Sequence, residues 1–286
     1  MSLLRGTLAR LVEHGPGEIL MYATGRFDPV RRAARFANSF TRRRSSFDLT
    51  QTLFPQLDVE EALSSVNRDA LYPDVNLPFS SVKNILGHAE NTQCFAYLRN
   101  TRQKRYFHYR DHEKAEADIG QTVLMGGYDD PASQCAAIAE IQNDPKLLEI
   151  AARYLNGNPR LIMPILWWSF PKQTSIEDRL KAKQTVLFHF DLHAYTYIYF
   201  NFYITEVDVT AGPHVVVLGS HKGKKLSHLL GSANQSDENI IRHYGQENIA
   251  TICGKAGFGF IEDSFCYHKA TAPTRKSRLM LQIRMS

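Results

Sequence analysis

The chain has 286 residues, a formal net charge of +5 and 43% hydrophobic residues, enough for one domain with a sizeable core. No apolar run approaches the roughly 18 residues a membrane span needs, and the stretch 161–170 is short and contains Pro164. The N-terminus lacks an apolar segment of the secretory type, and Cys94, Cys135, Cys253 and Cys266 form no C-x-x-C pair. Reduced thiols in a cytoplasmic protein are therefore expected, and a cysteine zinc site is not.

In chain order, residues 1–44 come first, with nine Arg and no Lys against Glu13, Glu18 and Asp28. The remainder is close to neutral. Three readings fit such a run: a solvated basic face, weak contact with an anionic membrane surface or acidic partner, or an organelle transit segment. Its acidic residues count against the last. Leu3, Leu4, Leu8, Leu11 and Val12 share a helical face that Gly15-Pro16-Gly17 should end. Asp58 is placed to cap a helix running through Glu60, Glu61 and Leu63. Asp130-Pro131 opens another, over residues 135–141. Asp144-Pro145 opens a third, with Leu147, Leu148, Ile150, Ala151 and Leu155 on its apolar stripe and a stop at Asn156-Gly157. Residues 102–114, charged and aromatic, fit neither period.

The second half reads as strands. They are predicted at 186–190, 195–207, 214–218, 249–253, 258–261, 266–271 and 278–284, with a short helix capped at Ser236-Asp237 between the third and fourth. In the long strand, Tyr195, Tyr197 and Tyr199 share one face, and Thr196, Ile198 and Phe200 the other. Many short strands separated by Gly and Pro predict a sandwich or double-sheet jelly roll. No linker divides the chain, so a single domain over 1–286 is expected, mainly β with α. A helical N-terminal half, 1–158, should pack on a jelly-roll core, 159–286.

The chemistry concentrates in His189-Phe190-Asp191, answered by His268 and then Arg278. Residues i and i+2 of a strand point the same way, so His189 and Asp191 reach one point while Phe190 faces the core. His268 lies 77 positions beyond Asp191, far enough to return on a later strand. Two imidazoles and one carboxylate on one face of a metal form the facial triad of non-haem Fe(II) oxygenases, which leaves open positions for a 2-oxo acid and O2. Arg278, ten residues past His268, is placed to pair with the far carboxylate of that acid. Arg275 competes for this role, and Tyr199 and Asn201 are weaker candidates to touch the acid. His193 would face the metal side and suits a supporting or substrate-side role better than a fourth ligand. His221 and the basic run Lys222, Lys224 and Lys225 read as a solvated turn or as a site for an anionic substrate. Trp168, with Trp167, is a candidate pocket wall, against the commoner fate of core packing.

The run from His189 to His221 resembles the metal-binding core of the phytanoyl-CoA dioxygenase family of Fe(II)/2-oxoglutarate oxygenases. Its matching pieces are His-x-Asp, then Tyr203-Ile204-Thr205-Glu206-Val207-Asp208, Gly212-Pro213 and Gly219-Ser220-His221. Gly257-Phe258 to Asp263, His268 and Arg278 are similar to the family's closing segment. Asp144 to Leu148, Tyr154-Leu155 and Trp167-Trp168-Ser169 extend the likeness over about half the chain. Leu218 departs from it, standing where Pro usually precedes Gly-Ser-His. The resemblance implies a double-stranded β-helix, Fe(II) on His189, Asp191 and His268, and Arg278 on the 2-oxoglutarate carboxylate. It also implies hydroxylation of a small molecule with release of succinate and CO2. Asp191 fills the position that a related halogenase leaves to a halide. No nucleic-acid partner is expected. The rival readings are a cupin-like enzyme using Zn or Mn without O2, and a non-catalytic β-sandwich adaptor.

Overall fold

A computed structural model describes residues 15–98, 103–181 and 184–286. The helical face from Leu3 to Val12 lies outside them. Helices α1 (Pro16–Thr24) and α2 (Asp28–Thr41) each carry Pro in the first turn, where its missing N–H costs nothing. Gly15 is extended and Pro16 opens α1, and the helix that Gly15-Pro16-Gly17 was expected to end lies outside the described residues. Helix α3 (Val59–Asp69) is capped by Asp58, whose carboxylate accepts from the Glu60 and Glu61 N–H groups at 2.8 and 3.0 Å. Then come β1 (Leu71–Pro73), α4 (Phe79–Asn91), β2 (Cys94–Tyr97), β3 (Lys104–Phe107), α5 (His112–Ile119) and β4 (Met125–Gly127). The helix expected after Asp130-Pro131 is split into α6 (Pro131–Gln134) and α7 (Ala136–Gln142), because Cys135 between them is extended. Helix α8 (Pro145–Leu155) is capped by Asp144 and closed by Asn156 in a left-handed conformation, as its sequence requires.

The second half supplies β5 (Ile162–Ser169), α9 (Ile176–Lys181), β6 (Ile198–Tyr203), β7 (His214–Val217), α10 (Leu226–Leu230), α11 (Asp237–Tyr244), β8 (Ile249–Ile252), β9 (Gly259–Glu262), β10 (His268–Ala270) and β11 (Arg278–Met285). Eight strands form one antiparallel sheet in the order β1-β9-β6-β11-β5-β4-β2-β3, and β10-β7-β8 form a second. The helical reading of 1–158 is therefore incomplete, since β1, β2, β3 and β4 all come from it. These strands are three or four residues long, too short for a period of two to register.

Register sorts the large sheet into two faces, because directly paired residues point the same way. Ile198, Phe200 and Phe202 of β6, Leu279, Leu281 and Ile283 of β11, and Leu166 and Trp168 of β5 share one apolar cluster with Ile138, Leu147 and Ile150 of the helices. The opposite face carries Tyr203, Phe260 and Met280 against Val216 and Ile252 of the small sheet. The same face also holds Tyr199, Asn201, Glu262, Arg278, Gln282 and Arg284. One side of the sheet is thus a helix-packed core, and the polar groups lie on the side turned to the second sheet.

Candidate metal centre and acid-binding arginine

The stretch 186–190 is not a strand. Only Phe188 and His189 make isolated bridges, His189 to His268. The His189 and His268 backbones exchange both N–H···O bonds, at 3.0 and 2.9 Å, and the Asp191 N–H donates to Ser264 O at 2.9 Å. The intervening Phe190 turns away and packs edge-on against Phe265 and Tyr267. Behind the second histidine, Ser220 Oγ accepts the Tyr267 N–H at 2.7 Å and donates to Val217 O at 2.7 Å. The Gly-Ser-His segment thus pins the residue before His268.

These bonds bring one donor atom each of His189, Asp191 and His268 within 4.8 Å of one another. Nε2 of His189 and Nε2 of His268 each lie 3.7 Å from an Asp191 carboxylate oxygen. Nδ1 of His189 is 3.0 Å from Leu187 O and Nδ1 of His268 is 3.1 Å from Cys266 O. A carbonyl only accepts, so in both rings the proton sits on Nδ1 and the Nε2 lone pair faces the shared point. Burial and the neighbouring His268 push the His189 pKa down to about 4, which keeps its ring neutral near pH 7. Burial alone would raise Asp191. The His193 hydrogen bond and the two flanking imidazoles outweigh it and hold the carboxyl below the usual range. A carboxylate with two open imidazoles is a donor set for a divalent metal.

A second set, Glu262, Cys266 and His268, also converges within 4.8 Å. Its chemistry is poorer. Burial pushes the Cys266 thiol well up, and a protonated thiol is not a ligand. Glu262 is already engaged, with His214 Nε2 3.1 Å away and Asn201 Nδ2 3.4 Å away. The His214 ring lies 5.4 Å from that of His268. Glu262, His214 and Tyr197, whose hydroxyl donates to Asp191 O at 2.6 Å, were not singled out from the sequence. A Glu directly after the apolar run Gly257 to Ile261 was the available signal.

His193 stands at the mouth of the site, partly exposed, with Nε2 3.6 Å from Asp191 Oδ2. It lines a cleft of about 280 Å³ with Met21, Asn38, Arg42 and Tyr195. Tyr199 is buried and its ring is 6.3 Å from that of His193. Asn201 bridges Glu262 and Gln282. Trp168 lies elsewhere: it stacks on Tyr109 at 4.4 Å and donates to Tyr128 OH at 2.9 Å, within the helix-side core. As a pocket wall it is corrected, because strand parity turns it away from the small sheet. His221 is buried against Asn67 O, and Lys224 is wrapped by Phe190, Phe265 and Tyr267. Neither forms part of the triad.

Arg275 is exposed, whereas Arg278 is 3% exposed. The Arg278 guanidinium donates to Gly212 O, and weakly to Ser169 Oγ at 3.4 Å, while its Nε has no partner. Among the described residues no carboxylate pairs with it. Gly212 has φ +77°, and a Cβ there would meet Thr271 O at 2.6 Å, so only glycine brings this carbonyl to the arginine. A buried guanidinium without a counter-ion costs several kcal/mol, and the arrangement fits an anionic ligand that supplies the missing charge.

No protein-family model and no curated protein sequence matches the chain. Solved structures do. The non-heme alpha-ketoglutarate-dependent carbocyclase SnoK of nogalamycin biosynthesis superposes with a TM-score of 0.53 at 15% identity, over 82% of this chain and 86% of its own. EvdO2 from Micromonospora carbonacea var. aurantiaca, solved with 2-oxoglutarate, gives 0.54 at 12% identity, over 82% and 94%. HygX from Streptomyces hygroscopicus, solved with nickel, 2-oxoglutarate and hygromycin B, gives 0.52 at 12% identity, over 79% and 86%. These likenesses establish the fold: a cupin-like double-stranded β-helix with helices packed on the outer face of its larger sheet.

Proposed function

We propose that the protein is an Fe(II)- and 2-oxoglutarate-dependent oxygenase that hydroxylates a small molecule. The observation that carries the proposal is a buried, carboxylate-free Arg278 in the sheet that backs an open two-histidine, one-carboxylate set. A triad alone suits Zn or Mn as well as iron. A non-oxidative cupin-like enzyme has no use for a buried acid clamp, so Arg278 favours the oxygenase. The similarity of fold to SnoK, EvdO2 and HygX supports the same reading.

His189, Asp191 and His268 would hold the metal through Nε2, carboxylate oxygen and Nε2. Arg278 would pair with the C5 carboxylate of 2-oxoglutarate, a charge-assisted contact that fixes the acid's orientation. When bound, iron and the 2-oxo acid supply O2-dependent oxidation: one oxygen atom goes to succinate as CO2 leaves, and the other goes to the substrate. The protein's own share is positioning and exclusion of water. Leu187 O and Cys266 O lock both imidazole tautomers, as outer partners of metal-bound histidines do. Glu262 and His214 buttress His268 from behind. Phe188, Phe190, Phe265 and Tyr267 keep the back of the site dry.

Replacing His189 or Asp191 by Ala should abolish Fe(II) retention and Fe(II)-dependent conversion of 2-oxoglutarate to succinate. Full retention of both properties in both variants would overturn the assignment.

A further inference from the structure

β11 carries two arginines on its inner face, and both are short of partners. Arg278 begins the strand. Arg284, near its end, lies in register with Tyr199 of β6 and Met163 of β5. The Tyr199 hydroxyl lies against the Arg284 guanidinium, whose second contact is a weak one to Met163 Sδ at 3.4 Å. Its Nε is buried with no hydrogen-bond partner, and no carboxylate among the described residues forms an ion pair with it. Glu262, in the same register row, is taken by His214.

One small acid cannot serve both arginines. Their Cα positions are six residues apart on an extended strand, or about 20 Å. Their anchors hold them apart as well, since Ser169 and Met163 are also six residues apart on β5. If Arg278 holds the co-substrate, Arg284 is left for something else. It sits on the substrate side: Tyr199 connects it to His193, at the mouth of the metal site. From Arg284 back towards Arg278, the same face of β5 carries Met163, Ile165 and Trp167. Ile165 is 37% exposed, and Trp167 is only partly buried. An apolar floor thus runs beside Arg284 on the neighbouring strand, in the interval between the two arginines.

We propose that Arg284 is a substrate-recognition residue, and that the substrate is an organic carboxylate with an apolar or aromatic body. The carboxylate would accept from the Arg284 guanidinium and the Tyr199 hydroxyl, and the body would lie along Met163, Ile165 and Trp167. A single guanidinium with one hydroxyl matches one negative charge better than the two of a phosphate. This rests on the oxygenase reading, because it assigns the co-substrate to Arg278.

The test uses the full chain loaded with Fe(II) and 2-oxoglutarate under anaerobic conditions. Calorimetry compares 3-phenylpropionate with its primary amide, and the visible band of the iron-bound 2-oxo acid reports co-substrate binding. Wild type should bind the acid at least tenfold more tightly than the amide. R284Q should lose that preference and keep the 2-oxoglutarate titration, R284K should restore part of it, and R278Q should lose the 2-oxoglutarate titration instead. Equal binding of acid and amide by wild type, or an intact preference in R284Q, would overturn the proposal. So would loss of the 2-oxoglutarate titration in R284Q, since Arg284 would then be the co-substrate clamp. Absence of the visible band from wild type would instead overturn the oxygenase reading, and the acid-over-amide comparison would still report on Arg284.

Discussion

A guanidinium as deeply buried as that of Arg278 is held in place at a cost, and the cost falls when an anion arrives. The free chain satisfies it with one carbonyl and one distant hydroxyl. Truncating one partner of a buried charge pair costs about 2–5 kcal/mol, so R278Q should weaken 2-oxoglutarate binding on the order of 30-fold or more. Iron content should be unchanged, because Arg278 touches none of the three donors. R275Q, at an exposed position, should bind the acid like wild type. Equilibrium titration of the three proteins checks this. If R275Q carries the loss, the two arginines have been assigned the wrong way round.

At the scale of elements, legibility follows distance along the chain. His189 and Asp191 could be read together because two residues on extended backbone share a side whatever the rest of the fold does. Asp58 and Asp144 could be read as caps because a cap bonds its own first turn. Tyr199 and Glu262, however, meet only through the pairing of β6 with β9, and no local period records a register between strands some sixty residues apart. The same limit governs Trp168. Its apolar character was plain, but the face it occupies was settled by which residue of β11 stands opposite. W168F removes the indole N–H that Tyr128 OH accepts, so it should cost about 1 kcal/mol in a urea unfolding curve. It should leave 2-oxoglutarate binding alone. A selective loss of binding in this variant would put the indole back into the pocket.

At the scale of the molecule, α2 is tied to the β core through one buried ion pair. Arg31 reaches Asp263 Oδ1 at 3.2 Å and lies 3.8 Å over the Phe265 ring, and Tyr154 OH donates to Asp263 Oδ2 at 2.6 Å. Part of the basic N-terminal segment is therefore structural rather than solvated. Burial would raise the Asp263 carboxyl, but Arg31, His221 and the Tyr154 hydrogen bond outweigh it and hold it below its usual value. The unfolded chain then binds this proton more readily than the folded one. The stabilisation is complete above the unfolded aspartate value of about 4 and is lost as pH falls through the lower folded value. Unfolding midpoints should thus drop steeply below about pH 4 in wild type. D263N should be less stable at neutral pH and should show a shallower acid limb, and equal slopes in the two proteins would rule this contribution out.

The place of β11 in the large sheet has a consequence for how the protein is made. It lies between β5 and β6 and pairs with both along most of its length, yet among the described strands it comes last in chain order. Until it emerges, β5 and β6 have no common neighbour and expose unsatisfied edges, which recruit other chains. The β5 pairing joins residues more than a hundred positions apart, and pairings of such separation are slow to form. A ribosome can have released nearly every residue of the metal triad's surroundings while the nascent chain still has no closed sheet. Both orphan arginines arrive on the strand that closes it, so the ability to bind either acid would appear in a single late event, together with protection from aggregation.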